Sequence, residues 1–326
     1  MKAKLVYISL VILFFSNVCT LAAQWVQTNG STIKPFGDEV SSFAVSGTNL
    51  FAGTMGDGVY LSTDNGTNWT AIDSGLTNLD ISTLVLSDTN LFAGTFGGGV
   101  FLSTNNGTTW VAINSGLSDP YVYSFAVSGA NLFAGSLSGY IYLSTNNGTD
   151  WIAVDSSSTN ATVVSLAIEG SNIFAAIDGN GIFLSTDRGT NWTAVNSGLT
   201  DRDVWSLAFL GRNLFAGTSD GVFLSSNNGT SWFAVDSGLT NVLVWALTVN
   251  GTNLFAGTKG NGIFLSSNNG ASWNAVDLGL TNYFIYDILA MYDGAGDTTL
   301  VAGTGDGIFK SSNNGTSWRT TNPDAD

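Results

Sequence analysis

The stretch Ser62-Thr-Asp-Asn-Gly-Thr-Asn-Trp69 decides the fold, because the chain repeats its pattern seven times. The pattern is Ser-x-(Asp/Asn)-x-Gly-x-x-Trp, and successive motif tryptophans lie 41, 41, 41, 40, 41 and 45 residues apart. A fixed period of this size indicates one supersecondary unit copied in tandem, each copy burying its apolar face against the next. The copies are Ser62–Trp69, Ser103–Trp110, Ser144–Trp151, Ser185–Trp192, Ser225–Trp232, Ser266–Trp273 and Ser311–Trp318.

Each period contains four short apolar segments separated by turn residues. In the second copy these segments are residues 81–86, 91–95, 100–104 and 109–114, and glycine-rich turns join them. Four short antiparallel strands in a period of this length are typical of one propeller blade. A closed ring leaves only short edges, whereas an open solenoid, the alternative, fits four-stranded meanders poorly. The sequence therefore predicts an all-β, seven-bladed β-propeller over residues 24–326.

An additional copy of the fourth strand precedes the first blade. The segment around Trp25, Gln-Trp-Val-Gln-Thr-Asn, matches the Ser-Trp-Arg-Thr-Thr-Asn segment around Trp318. Either segment fits as the outer strand of the seventh blade, and an N-terminal strand there would close the ring. The sequence leaves this choice open.

The eight-residue motif resembles that of Asp-box (BNR) repeat β-propellers, a family that includes sialidases, xyloglucanases, sortilin-type receptors and photosystem assembly factors. The resemblance extends over all seven copies. It implies that the motif is structural and lies on the face opposite any active site. Physically, the Asp or Asn side chain should accept backbone amides in the turn, glycine should take the left-handed conformation, and tryptophan should fold back onto the sheet. Asp64 and Asp187 keep the acid, and the other five copies carry asparagine.

Residues 1–23 have the pattern of a secretory signal peptide. Lys2 and Lys4 precede an apolar stretch over residues 5–15, and small residues follow before Gln24. The sequence predicts cleavage there and export to the periplasm, the cell surface or the medium, without stable membrane insertion. A single-span anchor is the alternative, although the apolar stretch is short for a bilayer.

The composition excludes several classes of function. The chain has no histidine, and its one cysteine, Cys19, lies within the predicted signal peptide. Zinc sites with His or Cys ligands, Ser-His-Asp triads and cysteine nucleophiles are therefore excluded. Without Lys2 and Lys4 the chain carries seven Lys and Arg against 24 Asp and Glu, a net charge of −17, which disfavours nucleic acid as a partner. No cofactor is predicted.

One position in the first strand differs between copies that otherwise agree. Along the chain it holds Ser41, Ser82, Tyr123, Val164, Trp205, Trp245 and Tyr286. Because the first strand of a blade is innermost, these aromatic residues, with Tyr121 and Tyr283 just ahead of their strands, should gather on one side of the central mouth. Aromatic rings on such a surface stack on sugars or anchor a protein partner. The alternative is that they fill gaps between blades.

Acidic residues are predicted at the same rim. Asp203 lies beside Arg202, and Asp287 stands where the other copies carry Ser, Thr or Ala. The remaining rim acids are Glu39, Asp57, Asp80, Asp178, Asp220 and Asp306. Exposed to water, these carboxyls should keep ordinary pKa values and make poor general acids at neutral pH. A solvated rim without a further role is the alternative.

These features favour a binding protein over an enzyme. Sialidases of the family use three arginines around the substrate carboxylate, and only Arg202 is predicted near this mouth. Xyloglucanases of the family hold substrate between two propellers, and this chain has one. We therefore expect a non-catalytic protein that binds a glycan or a protein. A two-carboxylate glycoside hydrolase or lyase and an extracytoplasmic assembly factor are the alternatives. Asp293–Asp297 is too short for a convincing Ca²⁺ site, and no metal site is predicted.

Overall fold

The computed structural model describes residues 39–155, 161–239, 242–292 and 298–321, and these form seven four-stranded antiparallel sheets. In every sheet the strands follow one another in chain order, so each sheet is a simple meander. The predicted seven-bladed propeller is confirmed. The described residues contain no helix, and hence none long and apolar enough to cross a membrane.

The strands are numbered β1 to β28 along the chain, four to a blade. The first strands are β1 (Val40–Ser46), β5 (Ile81–Ser87), β9 (Val122–Ser128), β13 (Val163–Glu169), β17 (Val204–Leu210), β21 (Val244–Asn250) and β25 (Ile285–Tyr292). The second strands are β2 (Asn49–Thr54), β6 (Asn90–Thr95), β10 (Asn131–Ser136), β14 (Asn172–Ile177), β18 (Asn213–Thr218), β22 (Asn253–Thr258) and β26 (Thr298–Thr304). The third strands are β3 (Val59–Ser62), β7 (Gly99–Ser103), β11 (Ile141–Ser144), β15 (Gly181–Ser185), β19 (Gly221–Ser225), β23 (Ile263–Ser266) and β27 (Gly307–Ser311). The fourth strands are β4 (Thr70–Ala71), β8 (Val111–Ala112), β12 (Ile152–Asp155), β16 (Thr193–Ala194), β20 (Phe233–Ala234), β24 (Asn274–Ala275) and β28 (Arg319–Thr320).

The first strands pack side by side around the centre of the ring. Each contacts the first strand of the next blade, and β25 contacts β1, so the ring is closed. The core lies between blades: one cluster joins Phe51 and Val59 of the first blade to Ile81, Leu84 and Trp110 of the second. Each blade therefore buries its apolar face against its neighbour, as the repeat period predicted.

The fourth strands are shorter than the sequence predicted. In the second blade, residues 109–114 were expected to form a strand, but only Val111–Ala112 does so. Beyond it, the side chain of Asn114 accepts the Val100 amide at 2.7 Å and donates to the Gly98 carbonyl at 2.9 Å. Side-chain bonds thus take the place of ladder bonds and leave a short edge, which protects the sheet from pairing with other chains.

The motif hairpin has the predicted hydrogen bonds. In the first copy, Oδ1 of Asp64 accepts the amides of Thr67 and Asn68 at 3.0 and 2.8 Å, and the Ser62 hydroxyl donates to the same oxygen. Gly66 takes the left-handed conformation at φ 78°, and Asn65 before it does so at φ 57°. The turn therefore needs two left-handed residues, which asparagine and glycine tolerate best.

The motif tryptophans also form hydrogen bonds that the sequence did not predict. In five of the seven copies the indole N–H donates to a carbonyl of the preceding blade. Trp110 reaches the Ile72 carbonyl at 2.6 Å, and Trp151 reaches that of Ile113 at 2.8 Å. Trp69 and Trp192 bond within their own turns. The motif tryptophan thus connects its blade to the preceding one in most copies.

The seventh blade takes its outer strand from β28, next to Trp318. At the junction with the first blade, Lys310 replaces a leucine of the other blades and donates to Asn65 O at 3.2 Å and Thr67 Oγ1 at 3.0 Å. Trp25, the predicted signal peptide at residues 1–23 and the Asp293–Asp297 segment lie outside the described residues.

Candidate functional site

The variable position of the first strand is the unpaired residue of a β-bulge in every blade. In the first blade, Val40 pairs with Thr54 and Ser42 pairs with Gly53, so Ser41 has no partner in the ladder. The same shift occurs in the other six blades. A bulge takes one residue out of the ladder and re-aims its side chain. This position is therefore free to vary without disturbing the sheet.

Small bulge residues connect neighbouring blades. The Ser41 hydroxyl lies within hydrogen-bonding distance of Gly53 O in its own blade and Ile81 O in the second. The Ser82 hydroxyl does the same with Gly94 O and Val122 O of the third blade. These serines satisfy backbone carbonyls where two first strands meet, so they serve assembly of the ring.

Large bulge residues form a continuous aromatic arc in blades five to seven. The Trp205 and Trp245 ring centroids are 6.1 Å apart at 61°, and those of Trp245 and Tyr286 are 5.1 Å apart at 56°. Trp205 Nε1 donates to Ser219 Oγ at 2.9 Å, and the Lys259 ammonium lies 4.8 Å from the centre of the Trp245 ring. The arc therefore has fixed ring positions.

A cavity of about 590 Å³ runs along the axis of the ring. Its lining includes Tyr123, Trp205, Trp245, Tyr286 and Asp287, so the structure brings five of the predicted site residues together. The volume falls within the range of sites that hold small ligands or inserted side chains.

The other four predicted residues lie outside this lining. Tyr121 is 38% exposed and packs edge to face with Phe96, with centroids 5.0 Å apart. Tyr283 is 44% exposed, and Arg202 and Asp203 are also exposed. They belong to the surrounding mouth surface rather than to the cavity itself.

Sequence reasoning missed Met55 and Phe96, which line the cavity opposite the aromatic arc and are 43% and 46% exposed. Both directly follow their second strands. The corresponding places in the remaining blades hold Leu137, Asp178, Ser219, Lys259 and Gly305. This second variable position, after a nearly constant strand, is the signal that would have identified them.

Asp287 fastens the closing junction of the ring. Its Oδ2 accepts the Phe43 amide of the first blade at 2.8 Å, and its Oδ1 accepts the Ile288 amide at 2.8 Å. In other blades a serine at this place accepts the equivalent amide of the next blade, as Ser42 and Ser206 do. Blade six has Ala246 there and no hydroxyl. Asp287 therefore accepts the amide at the junction of blades seven and one. It also accepts the Ile288 amide, which Ala246 leaves without an acceptor at the junction of blades six and seven.

The expectation of ordinary pKa values at the rim is wrong for two carboxyls. Burial raises the pKa of Asp287 to about 6, although the amides of Phe43 and Ile288 oppose the shift. Burial, followed by repulsion from Asp201 and Asp178, raises the pKa of Asp203. Water therefore screens Asp287 less than the sequence implied, whereas the exposed Asp203 is affected by its acidic neighbours as well.

The hydroxyl of Tyr286 is also perturbed. Burial raises its pKa, and the hydrogen bond to the Glu39 carboxylate and the charge of that carboxylate add to the shift. Tyr286 thus stays protonated and donates to Glu39. Among the described residues, no three His, Cys, Asp or Glu side chains are placed to hold a metal ion.

Comparison with protein-family models and with curated proteins found no match for this chain. Solved structures do match. The extracellular domain of the one-component system BT4673 from B. thetaiotaomicron gives a TM-score of 0.70 at 19% identity, over 84% of this chain and 38% of that one. The GH74 xyloglucanase from Xanthomonas campestris gives a TM-score of 0.71 at 14% identity, over 90% of this chain and 55% of that one.

A third match, YCF48 from Cyanidioschyzon merolae, gives a TM-score of 0.66 at 15% identity, over 85% of this chain and 95% of that one. A structure of YCF48 bound to D1 peptide also matches, with a TM-score of 0.67 at 14% identity. This chain thus spans about half or less of two of these proteins and nearly all of the third. In fold, the chain matches the seven-bladed propellers of the BNR/Asp-box type.

Proposed function

We propose that the chain is an exported, non-catalytic binding protein that holds a glycan or a protein partner in its central mouth. The observation that carries the proposal is the aromatic arc of Trp205, Trp245 and Tyr286 on the cavity wall. Rings clustered at the centre of a concave surface are the usual energetic anchors of binding sites. The proposed site adds Tyr123 and Asp287 in the lining, with Tyr121, Tyr283, Asp203 and Arg202 around the mouth.

The matched structures support binding as the general role. YCF48 binds a peptide, and the BT4673 domain is extracellular. An extracellular setting agrees with the signal-peptide pattern of residues 1–23. An assembly or scaffold role remains a variant of the same proposal, because it also requires a protein partner at this surface.

A hydrolase is the second candidate, because the raised pKa of Asp287 is a property of general acids. Against it, both oxygens of Asp287 already accept backbone amides, which leaves little freedom to protonate a leaving group. Asp287→Asn keeps the size of the side chain and removes the carboxylic acid. Loss of glycan turnover in that variant, with glycan binding retained, would favour the hydrolase.

The proposal is tested by probing glycan and peptide arrays with the full chain and two variants. Trp205→Ala/Trp245→Ala removes most of the arc, and Phe233→Ala removes an aromatic side chain that is 64% exposed on the outer strand β20. We expect hits that the double variant loses and the Phe233→Ala control keeps. Hits that persist in the double variant would place the binding site elsewhere.

A further inference from the structure

We propose that the occupant of the mouth is a cationic peptide segment of another protein. An apolar side chain of the segment enters the cavity between the aromatic arc and the Met55–Phe96 side, and adjacent Lys or Arg side chains meet the aspartates of blades four and five. This inference rests on the proposed binding function and narrows it to one class of partner.

The chemistry of the aromatic arc favours an apolar side chain over a sugar. Sugar sites combine a ring face with polar groups aimed at hydroxyls, yet two polar atoms of this arc are already engaged. Trp205 Nε1 bonds Ser219, the Tyr286 hydroxyl bonds Glu39, and Lys259 lies over the Trp245 ring. The rings also meet at 56° and 61°, so they form no common plane for successive sugars. The arc offers mainly carbon, which suits an apolar side chain.

Exposed apolar side chains also lie on the opposite side of the cavity. Met55 and Phe96 are both more than 40% exposed, and Leu79 beside them is 39% exposed. An isolated bridge joins Met55 to Asp80, and another joins Phe96 to Tyr121, so these residues lie where neighbouring blades meet. Apolar side chains clustered at a concave mouth indicate an interaction surface rather than scattered exposure.

The charge of the mouth surface is complementary to a cationic segment. Among the residues that the structure describes, this surface carries six exposed aspartates and two exposed cations, Lys259 and Arg202. The aspartates are Asp57, Asp80, Asp178, Asp203, Asp220 and Asp306. Lys or Arg side chains of a bound segment would be attracted to this surface, and like-charged partners would be repelled.

Three aspartates, Asp178, Asp201 and Asp203, lie close enough to interact where blades four and five meet. The charged groups that act on the pKa of Asp203 are Asp201 and Asp178, and both raise it. Oδ2 of Asp201 is buried without a hydrogen-bond partner. A cation placed beside these carboxylates would relieve their repulsion, so this is where we place the Lys or Arg of the segment.

The experiment selects phage-displayed random heptapeptides on the full chain, after depletion on the Trp205→Ala/Trp245→Ala variant. Selected peptides are synthesised, and their affinities are measured by calorimetry at 50 and 500 mM NaCl. Asp178→Asn/Asp203→Asn tests the acids, because among the described residues these two aspartates form hydrogen bonds through backbone atoms only. Asp88→Asn, an exposed acid on the opposite face, is the matched control.

We expect peptides that place Lys or Arg next to Leu, Phe or Trp. Their affinity should fall at least tenfold in the Asp178→Asn/Asp203→Asn variant and in 500 mM NaCl, and stay unchanged in Asp88→Asn. Peptides without enrichment in Lys or Arg, or affinities indifferent to the two aspartates, would overturn the inference. Glycans that bind in an arc-dependent manner while no peptide does would overturn it and leave the binding function standing. Neither ligand class binding at the arc would overturn both.

Discussion

The serine bulges of blades one and two and the aromatic bulges of blades five to seven occupy the same backbone position and do opposite things. Ser41 and Ser82 turn toward the carbonyls of the next blade and fasten the ring. Trp205, Trp245 and Tyr286 pack on one another along the cavity. A bulge holds the backbone constant while its side chain is re-aimed. The bulge residues of blades one and two thus serve assembly of the ring, whereas those of blades five to seven form a surface on the cavity wall.

The largest expected effect contrasts an outer tryptophan with an inner one. Trp151 is 3% exposed and bonds the preceding blade, so Trp151→Ala should lower the free energy of unfolding by ~3–5 kcal/mol. Trp205→Ala should cost clearly less, because Trp205 is only partly buried. Urea unfolding followed by circular dichroism measures both. A cost below ~1 kcal/mol for Trp151→Ala would show that the motif tryptophan does not lock the blades.

The next effect sharpens the role of Asp287 at the closing junction. Its pKa in the folded protein, about 6, lies above the ordinary value, so the folded state binds more protons and loses stability as pH rises from about 4 to about 6. Asp287→Ser restores the serine of other blades and removes this titration. The stability of Asp287→Ser relative to the unaltered chain should therefore rise by ~1–3 kcal/mol between pH 4 and pH 7.

Urea unfolding of both chains across this pH range provides the measurement. The difference in stability between the two chains cancels the contributions of other carboxyls, including those whose pKa is lowered in the folded protein. Burial raises the pKa of Asp64, but the hydrogen bonds that Asn68 donates to it outweigh this effect and lower the pKa. Hydrogen bonds from Asn191 likewise lower the pKa of Asp187. A difference that stays constant with pH would contradict the raised pKa of Asp287.

A smaller effect tests the serine side of the comparison. Ser82→Ala leaves the Val122 carbonyl without its hydroxyl donor at a junction between blades, and should cost ~1–2 kcal/mol. Arc-dependent binding should not change, since the hydroxyl is engaged in assembly. The same unfolding and binding assays check both statements. A Ser82→Ala variant that loses binding but keeps its stability would show that this serine serves binding and not assembly.

The smallest effect concerns the turns on the opposite face. Asp88 adopts φ 54°, where Gly47, Gly129, Gly170 and Gly211 occupy the equivalent places of other blades. A Cβ at those glycines would meet nothing within 4 Å, so backbone conformation is what favours glycine there. Asp88→Gly should stabilise the protein by ~0.5 kcal/mol, because relief of the left-handed conformation slightly exceeds the entropy that glycine adds to the unfolded chain. Thermal unfolding checks it, and a lowered midpoint would show that the aspartate side chain stabilises the turn.

The repeat allowed the fold and part of the site to be predicted from sequence. Period and turn chemistry indicated the blades, and comparison of the copies singled out Trp205, Trp245 and Tyr286. The bulge itself was not visible, because a register shift leaves no mark in one strand. The role of Asp287 was not visible either, since its partner Phe43 lies 244 residues away. Met55 and Phe96 were not predicted, because they directly follow second strands whose sequences are nearly constant between blades.

The most direct test of the account measures affinity and stability on the same variants. Dissociation constants for an array hit and the free energy of unfolding are determined for the unaltered chain, Trp205→Ala/Trp245→Ala and Phe233→Ala. We expect the double variant to lose ~2 kcal/mol or more of binding free energy, and less stability than Trp151→Ala loses, while Phe233→Ala binds normally. A double variant that binds as well as the unaltered chain but unfolds readily would show that the aromatic arc is core and not a binding site.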